Sequence, residues 1–151
     1  MQHIQVTDGL DSTLVMLGHQ LRGVTVVRGY ADDLPMIDAY AGELNQVWTN
    51  LIDNAVVALG GSGTLRVITR VDQDNIVIEI GDTGPGMPEE VAARAFEPFF
   101  TTKEVGQGTG LGLDIARRII AERHGGKISI DSRSGETILR VELPVRGSRP
   151  R

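Results

Sequence analysis

Four glycines alternate with other residues between positions 106 and 112, immediately before a stretch with helical periodicity. Glycine lets backbone amides approach an anion because no side chain stands in the way, and the free amides at the start of a helix attract phosphate. The loop is therefore predicted to bind a phosphate group. A flexible hinge before the helix is the alternative, and the number of alternating glycines favours phosphate binding over it.

Three common phosphate loops are excluded by the residues at the required positions. The dinucleotide pattern G-x-G-x-x-G needs its third glycine where Leu111 or Leu113 stands. The single Gly-Lys step, at residues 126–127, precedes a predicted strand, so the P-loop pattern fails as well. The partner motifs of the protein-kinase glycine loop are absent from the sequence. If the glycine loop binds phosphate, it does so outside these three families.

Two asparagines lie four residues apart in the segment NLIDNA, at Asn50 and Asn54. Residues four apart share one face of a helix, and asparagine is only a moderate helix former. The pair is predicted to point its amide groups at a ligand or at magnesium, a hard cation that prefers oxygen ligands. An exposed polar helix face would explain the same spacing.

Asp82 ends the apolar strand pattern NIVIEIGD and is followed by the turn TGPG. Its carboxylate is expected near the edge of the core, where a buried carboxylate needs hydrogen-bond donors. The exocyclic amine of a purine would be such a donor. Gly84 and Gly86 would turn the chain without placing a side chain in the way, although a plain turn would have the same sequence.

All three phenylalanines of the chain lie in FEPFFTTK, residues 96–103, in a predicted loop. Aromatic residues concentrated in a loop indicate a lid that packs over a bound molecule. Lys103, at the end of this segment, is a candidate phosphate ligand. A small satellite cluster that holds the loop down is the alternative.

The composition limits the kind of protein. The chain has 151 residues, 40% of them hydrophobic and 23% charged, which is ordinary for one globular domain. It has no cysteine, so disulfides and thiolate metal sites are excluded. The net charge of -5 argues against broad nucleic-acid binding. No apolar run approaches the roughly 20 residues of a membrane span, and no secretory signal is expected.

The periodicity of apolar residues predicts the elements that position these motifs. Helices are predicted over 9–23 (closed by Gly23), 43–61, 88–96 and 109–126. Strands are predicted over 1–8, 24–30, 64–71, 75–82, 127–132 and 137–144, with a loop over 31–42. Because hairpins dominate, the predicted fold is α+β. It is a two-layer α/β sandwich with a mixed, mostly antiparallel sheet and about three helices on one face.

Taken in order, the four motifs resemble the N box, the first glycine box, the F box and the second glycine box of sensor histidine kinases. The chain is thus similar to their catalytic and ATP-binding domain, in the superfamily that also contains gyrase, the mismatch-repair ATPases and a heat-shock chaperone. The resemblance covers almost all of residues 3–144. It implies an ATP-binding catalytic domain over 1–144, with a mobile lid between residues 88 and 107, and a flexible tail over 145–151.

The resemblance also implies roles for individual residues on the phosphate side. Asn54 matches the asparagine that coordinates the magnesium ion on the phosphates of ATP, and Asn50 lies beside it as a second catalytic residue. The remaining phosphate-side positions are expected to be Lys103, Gly108, Thr109, Gly110, Leu111 and Gly112.

On the adenine side, Asp82 matches the aspartate that binds the adenine amine. This match explains a carboxylate at the end of an apolar strand. Gly84 and Gly86 match the glycines that shape the pocket. Thr137 follows Gly135 as in the closing G-x-T segment of the family, in which the threonine helps to hold adenine through water.

One position separates the members of the superfamily. Those that hydrolyse ATP have a glutamate, the general base for water, four residues before the magnesium asparagine. This chain has Asn50 there, and a carboxamide takes up no proton near neutral pH. Slow hydrolysis is therefore predicted, with the γ-phosphate transferred to a histidine. A gyrase-type ATPase and a non-catalytic nucleotide-sensing module are the competing hypotheses.

The phosphate-accepting histidine is expected outside this chain, because His19 lies on the first predicted helix and not in a dimerising helical hairpin. The resemblance implies a cytoplasmic catalytic fragment of a longer kinase, whether or not the full-length kinase is anchored in a membrane. Its partners would be the dimerisation and phosphoacceptor domain and, indirectly, a response regulator, without contact to nucleic acid or membrane. Residues 56–58 are apolar where many relatives carry a basic residue, so Lys103 or Arg94 is expected to supply that charge.

Overall fold

The computed structural model describes residues 1–86, 88–97, 112–133 and 135–145. The first half contains β1 (Gln2–Ile4), α1 (Val6–Met16), β2 (Val24–Gly29), β3 (Ile37–Ala39) and α2 (Ala41–Leu59). The second half contains β4 (Gly63–Asp72), β5 (Asn75–Asp82), α3 (Glu89–Arg94), α4 (Gly112–Arg118), a π-helical turn (Ile119–Arg123), β6 (Lys127–Arg133) and β7 (Glu136–Pro144).

A five-stranded sheet forms one layer of the domain, with the strand order β2-β4-β5-β7-β6. Only the β2–β4 pair is parallel; the other three pairs are antiparallel. β4 and β5 form a hairpin whose register runs from Asp72 opposite Asn75 to Leu65 opposite Asp82. The β5–β7 register places Asp82, at the end of β5, opposite Thr137 near the start of β7. The predicted mixed, mostly antiparallel sheet is confirmed.

The helices pack on one face of this sheet around a single hydrophobic core. Side chains alternate between the two faces of a strand, so Ile76, Ile78 and Ile80 of β5 all point inward and are buried. The opposite face carries charged residues, among them Arg140, whose Nε lies 2.6 Å from Oε2 of Glu79. This two-layer α+β arrangement is the one predicted from the sequence.

Helix α2 is the central helix of the core. Its predicted apolar stripe is buried throughout: Leu44, Val47, Leu51, Ala55 and Leu59. The helix ends at Leu59, and the next residue, Gly60, has a φ of 63°, a left-handed conformation that glycine adopts at no steric cost. The stripe fixes the rotation of α2 about its axis, and therefore the direction in which its polar residues point.

Truncating the stripe is expected to destabilise the domain. Leu51 is fully buried, so Leu51→Ala would leave a cavity and lower the free energy of unfolding by about 2–5 kcal/mol. Val57→Ala on the same helix is the control, because Val57 is 41% exposed and its truncation leaves no cavity. Urea denaturation measures both. Equal effects of the two substitutions would contradict the placement of Leu51 in the core.

The predicted boundaries were wrong for the first strand, the first helix and the loop over 31–42. The strand predicted over 1–8 ends at Ile4. Helix α1 begins at Val6 and ends at Met16, not at Gly23. Turns follow it from Leu17, next to Gly18, a poor helix former. Leu17 and Leu21 are buried all the same, so the apolar spacing correctly predicted their burial but not the helix. The predicted loop over 31–42 contains β3, which pairs with β1 in a separate two-stranded sheet. Three-residue strands are too short to give an alternating pattern.

The last predicted helix, 109–126, is described from Gly112 onward, and its predicted start near Thr109 lies outside the described residues. It changes from α to π geometry at Ile119. Among the described residues, no helix is both long enough and apolar enough to cross a membrane.

Candidate functional site

Asp82 lies at the end of β5 and is only 3% exposed. Its Oδ1 atom accepts a hydrogen bond from the Gly84 backbone N–H, at 2.9 Å. Burial raises the pKa of the Asp82 carboxyl, while the hydrogen bond from Gly84 acts in the opposite direction. Oδ2 has no hydrogen-bond partner within the described part of the chain. Asp82 therefore has one carboxylate oxygen that can accept hydrogen bonds from a ligand.

Three polar side chains form a row across the end of the sheet on its helix-covered face. Asp82 of β5 is opposite Thr137 of β7, and Thr137 is opposite Ser132 of β6. The hydroxyl oxygens of Thr137 and Ser132 are 2.9 Å apart, and Thr137 is only 3% exposed. The neighbouring inward positions along these strands are apolar. The row is thus a local polar site on an apolar surface. Sites that bind small molecules usually have this composition, a few placed polar groups in apolar surroundings.

The turn after Asp82 requires its glycines for steric reasons. A Cβ on Gly84 would lie 2.8 Å from the Ala58 carbonyl oxygen and 2.9 Å from Oδ1 of Asp82. Gly86 has a φ of 83°, and a Cβ there would collide with the Arg133 carbonyl oxygen. The turn therefore packs directly against the end of α2 and against β6, and it forms a wall beside Asp82.

The two predicted asparagines have different surroundings. Asn54 is partly buried, and its amide has no hydrogen-bond partner among the residues that the structure describes. Both the oxygen and the nitrogen of the Asn50 amide have hydrogen-bond partners. Its Oδ1 accepts from Gln46 Nε2 at 2.8 Å, and its Nδ2 donates to the Gly112 carbonyl at 3.0 Å. Of the pair, Asn54 is therefore the one whose side chain makes no hydrogen bond within the described residues.

Several predicted site residues lie outside the described residues: Lys103, Gly108, Thr109, Gly110 and Leu111. The same holds for most of the predicted Phe-rich lid. Gly112 is described, and as the first residue of α4 it touches Asn50. Arg94, the other candidate for a compensating positive charge, forms an ion pair with Glu97 at 3.1 Å.

Two site residues were missed from the sequence. Gln46 lies four residues before Asn50 on α2, so helical spacing could have identified the pair. Ser132 lies opposite Thr137 only because of the β6–β7 register, and no local pattern marks it. Within the described ranges, no three His, Cys, Asp or Glu side chains cluster as a metal site. Magnesium usually takes only one or two protein ligands beside phosphate and water, so a single amide oxygen is a suitable donor.

The chain is similar in sequence to several kinases. It is 39% identical over 145 residues to sporulation kinase E of Bacillus subtilis, covering 93% of this chain and 19% of that kinase. It is 36% identical to the sensory histidine kinase/phosphatase NtrB of Rhodobacter capsulatus, covering 96% of this chain and 44% of that protein. The chain therefore spans less than half the length of either relative.

The fold is also that of a solved kinase domain. The nucleotide-free catalytic domain of histidine kinase ThkA superposes with a TM-score of 0.88 at 29% identity, over 96% of this chain and 95% of that one. Residues 40–147, which include Asn54, Asp82 and Thr137, match the sequence model of one family. The chain thus belongs to the family of histidine kinase-, DNA gyrase B- and HSP90-like ATPases.

Proposed function

We propose that this chain binds Mg-ATP and donates the γ-phosphate to a histidine on a separate dimerisation and phosphoacceptor domain, in two-component signal transduction. The observation that carries the proposal is Asp82, a buried carboxylate with one oxygen bonded to Gly84 and the other without a partner in the described part of the chain. Burying a carboxylate is costly unless donors surround it. A ligand that brings an N–H group to Oδ2 offsets that cost.

Adenine supplies the required donor. Its exocyclic amine would donate to Oδ2 of Asp82, and its ring would lie along the wall formed by Gly84 and Gly86. Thr137, the next residue in the polar row, would bond the adjacent ring edge, directly or through water. The apolar neighbours of the row would pack against the purine faces, as is usual in cofactor sites.

The phosphate end of ATP is assigned to the side of α2 where Asn54 lies. The amide oxygen of Asn54 has no partner among the residues that the structure describes, and it fits a magnesium ion, which prefers hard oxygen ligands. Magnesium bound there would neutralise charge on the phosphate oxygens as the transfer proceeds. Lys103 and the glycine loop, Gly108, Thr109, Gly110, Leu111 and Gly112, are proposed to contact the same phosphates.

The proposed reaction is an in-line transfer to an imidazole. A histidine nitrogen of the partner domain forms a P–N bond to the γ-phosphorus, and the bond from phosphorus to the β,γ-bridging oxygen breaks to release ADP. The other imidazole nitrogen then loses its proton. A response regulator would be the next acceptor, and the cytoplasm, where ATP is present, would be the site of the reaction.

Two of the three histidines, His3 and His124, are poor acceptor candidates because their rings bond within the domain, and His19 lies in the turns that follow α1. The Nε2 atom of buried His124 accepts the Tyr40 backbone N–H at 3.1 Å, so Nδ1 carries the ring proton and bonds the Ile119 carbonyl at 2.9 Å. The Nδ1 atom of His3 lies 3.0 Å from Oδ1 of Asp38. Both rings are held by interactions within the domain. This supports an acceptor on a partner domain.

Labelled ATP and a purified acceptor hairpin of the matching kinase test this proposal. Magnesium-dependent binding followed by label on the hairpin is the expected result. Binding without transfer would instead support a nucleotide-sensing module. Steady release of phosphate without the hairpin would support a gyrase-type ATPase.

The residue at position 50 is expected to set the rate of ATP hydrolysis. A general base typically contributes 10²–10⁴-fold to such a rate, and the wild-type amide at Asn50 cannot act as one. Asn50→Glu should therefore raise phosphate release by about tenfold or more, although the carboxylate also loses the hydrogen bond to Gly112. Asn50→Gln is the matched control, because a glutamine side chain is as long as a glutamate side chain but has no basic oxygen. An equal increase in both variants would exclude the general-base explanation.

A further inference from the structure

The Asn50 side chain connects two helices through a relay of two hydrogen bonds. The Gly112 carbonyl oxygen can only accept, so the Asn50 amide must present its NH₂ group to it. This orientation leaves Oδ1 facing Gln46, which donates from Nε2 at 2.8 Å. Both polar ends of the Asn50 amide are thus used within the protein.

The opposite end of the same helical segment is also attached to α2. The guanidinium of Arg123, at the end of the π-helical turn, forms two hydrogen bonds with the Glu43 carboxylate, at 3.1 and 3.0 Å. Next to it, His124 accepts the Tyr40 N–H. Helix α4 and its π-helical turn therefore run antiparallel to α2, with the Arg123 end bound near the start of α2 and Gly112 bound at Asn50.

Asn54 lies one turn beyond Asn50 on the same face of α2, about 5–6 Å away between Cβ atoms. Gly112 is the last glycine of the predicted phosphate loop and the first residue of α4. The position of its carbonyl group, fixed by Asn50, therefore sets where α4 begins relative to Asn54.

We propose that Asn50 is a positioning residue. Oriented by Gln46, it holds Gly112 in place so that α4 begins at a fixed distance from Asn54, and it contacts neither magnesium nor phosphate. This inference rests on the proposed nucleotide function and changes the role expected for Asn50 from its resemblance to the family. Both hydrogen bonds of the relay join groups of the protein itself, so the relay is testable without ATP.

A direct ligand and a positioning residue respond differently to a carboxylate at position 50. If Asn50 bound magnesium, Asn50→Asp would retain an oxygen ligand and add charge, so Mg-ATP affinity would be kept or increased. In the relay, an aspartate cannot donate to the Gly112 carbonyl and repels its oxygen. Asn50→Asp should then release the start of α4 and weaken Mg-ATP binding.

Amide hydrogen exchange of residues 113–118 in the nucleotide-free protein is the first measurement. Asn50→Ala and Asn50→Asp should each accelerate exchange by roughly three- to tenfold at residues 116–118, whose amides can bond the carbonyls of residues 112–114, because one hydrogen bond that holds Gly112 is lost. Gln46→Glu should also accelerate exchange, to a smaller extent, because a glutamate carboxylate cannot donate a hydrogen bond to Oδ1 of Asn50. Gln46→Lys, which keeps a donor, should stay near wild type.

Ligand affinity is the second measurement. Asn50→Ala and Asn50→Asp should weaken Mg-ATP binding by about three- to tenfold and leave adenosine binding unchanged, because adenosine lacks the phosphates. Wild-type exchange in both variants, or tighter Mg-ATP binding by Asn50→Asp, would overturn the positioning role. If the wild-type chain bound no ATP, the proposed function would fail, and the exchange data alone would still decide whether the relay holds α4.

Discussion

Asp82→Asn is expected to abolish ATP binding and at the same time to stabilise the nucleotide-free domain. The asparagine can keep its oxygen on the Gly84 N–H, so its NH₂ group then faces the adenine amine, donor against donor. Losing a hydrogen bond to a charged group and leaving donors unpaired costs about 3 kcal/mol or more, which corresponds to at least about 100-fold in affinity.

The gain in stability follows from the raised pKa of Asp82. A carboxyl with a raised pKa binds its proton more tightly in the folded protein than in the unfolded chain. Its contribution to stability is therefore present at acidic pH and is lost as the pH rises from 3.8, the usual pKa, through the raised value. Asparagine does not titrate, so Asp82→Asn does not lose stability in this way. The difference in stability between Asp82→Asn and wild type should therefore grow as the pH rises through this range.

Calorimetric titration with Mg-ATP and thermal denaturation between pH 4 and about 8 measure the two effects. Asp72→Asn is the matched control, because Asp72 lies at the far end of the same hairpin and its side chain is 59% exposed. The control should change neither quantity. Retained ATP affinity in Asp82→Asn would refute the adenine site. A melting temperature of Asp82→Asn below that of wild type at neutral pH would refute the claim that the buried Asp82 carboxylate destabilises the domain.

The parts of the site that depend on local periodicity could be predicted from the sequence. The alternation in NIVIEIGD predicted an inward Asp82 at the strand end, and the structure confirms its burial. The apolar stripe of α2 predicted the helix and placed Asn50 and Asn54 on a common face. The fold class followed from the hairpins, because turn residues and alternating strands are local signals.

The remaining features depend on residues that are distant in sequence. Asn50 and Gly112 are 62 positions apart, and their hydrogen bond forms only because α4 packs along α2. From sequence spacing alone, Asn50 and Asn54 were both predicted to face a ligand. The structure shows that their hydrogen-bonding surroundings differ. The same limit applies to Ser132, which meets Thr137 through strand register. It also applies to β3, whose three residues are ordered by pairing with β1.

Asn54 is the second position at which a single substitution is expected to remove the activity. Its side chain is the partly buried amide on α2 that lacks a partner within the described residues, so Asn54→Ala removes a possible ligand without breaking a hydrogen bond seen in the protein. The substitution should therefore leave the folding free energy within about 1 kcal/mol of wild type. A loss of function would then report on the ligand rather than on the fold.

In Asn54→Ala, the affinity for ATP should no longer depend on magnesium, and phosphotransfer to an acceptor hairpin should fall by at least about 100-fold, because charge on the phosphates is no longer neutralised in place. Adenosine should bind as in wild type, since Asp82 is unchanged. Titrations with and without magnesium, together with labelled ATP, measure these effects. Asp53→Asn is the control, because Asp53 is the exposed neighbour of Asn54 on α2. If Asn54→Ala kept magnesium-dependent affinity while Asp53→Asn lost it, the metal ligand would be Asp53, and the side of α2 assigned to the phosphates would have to be revised.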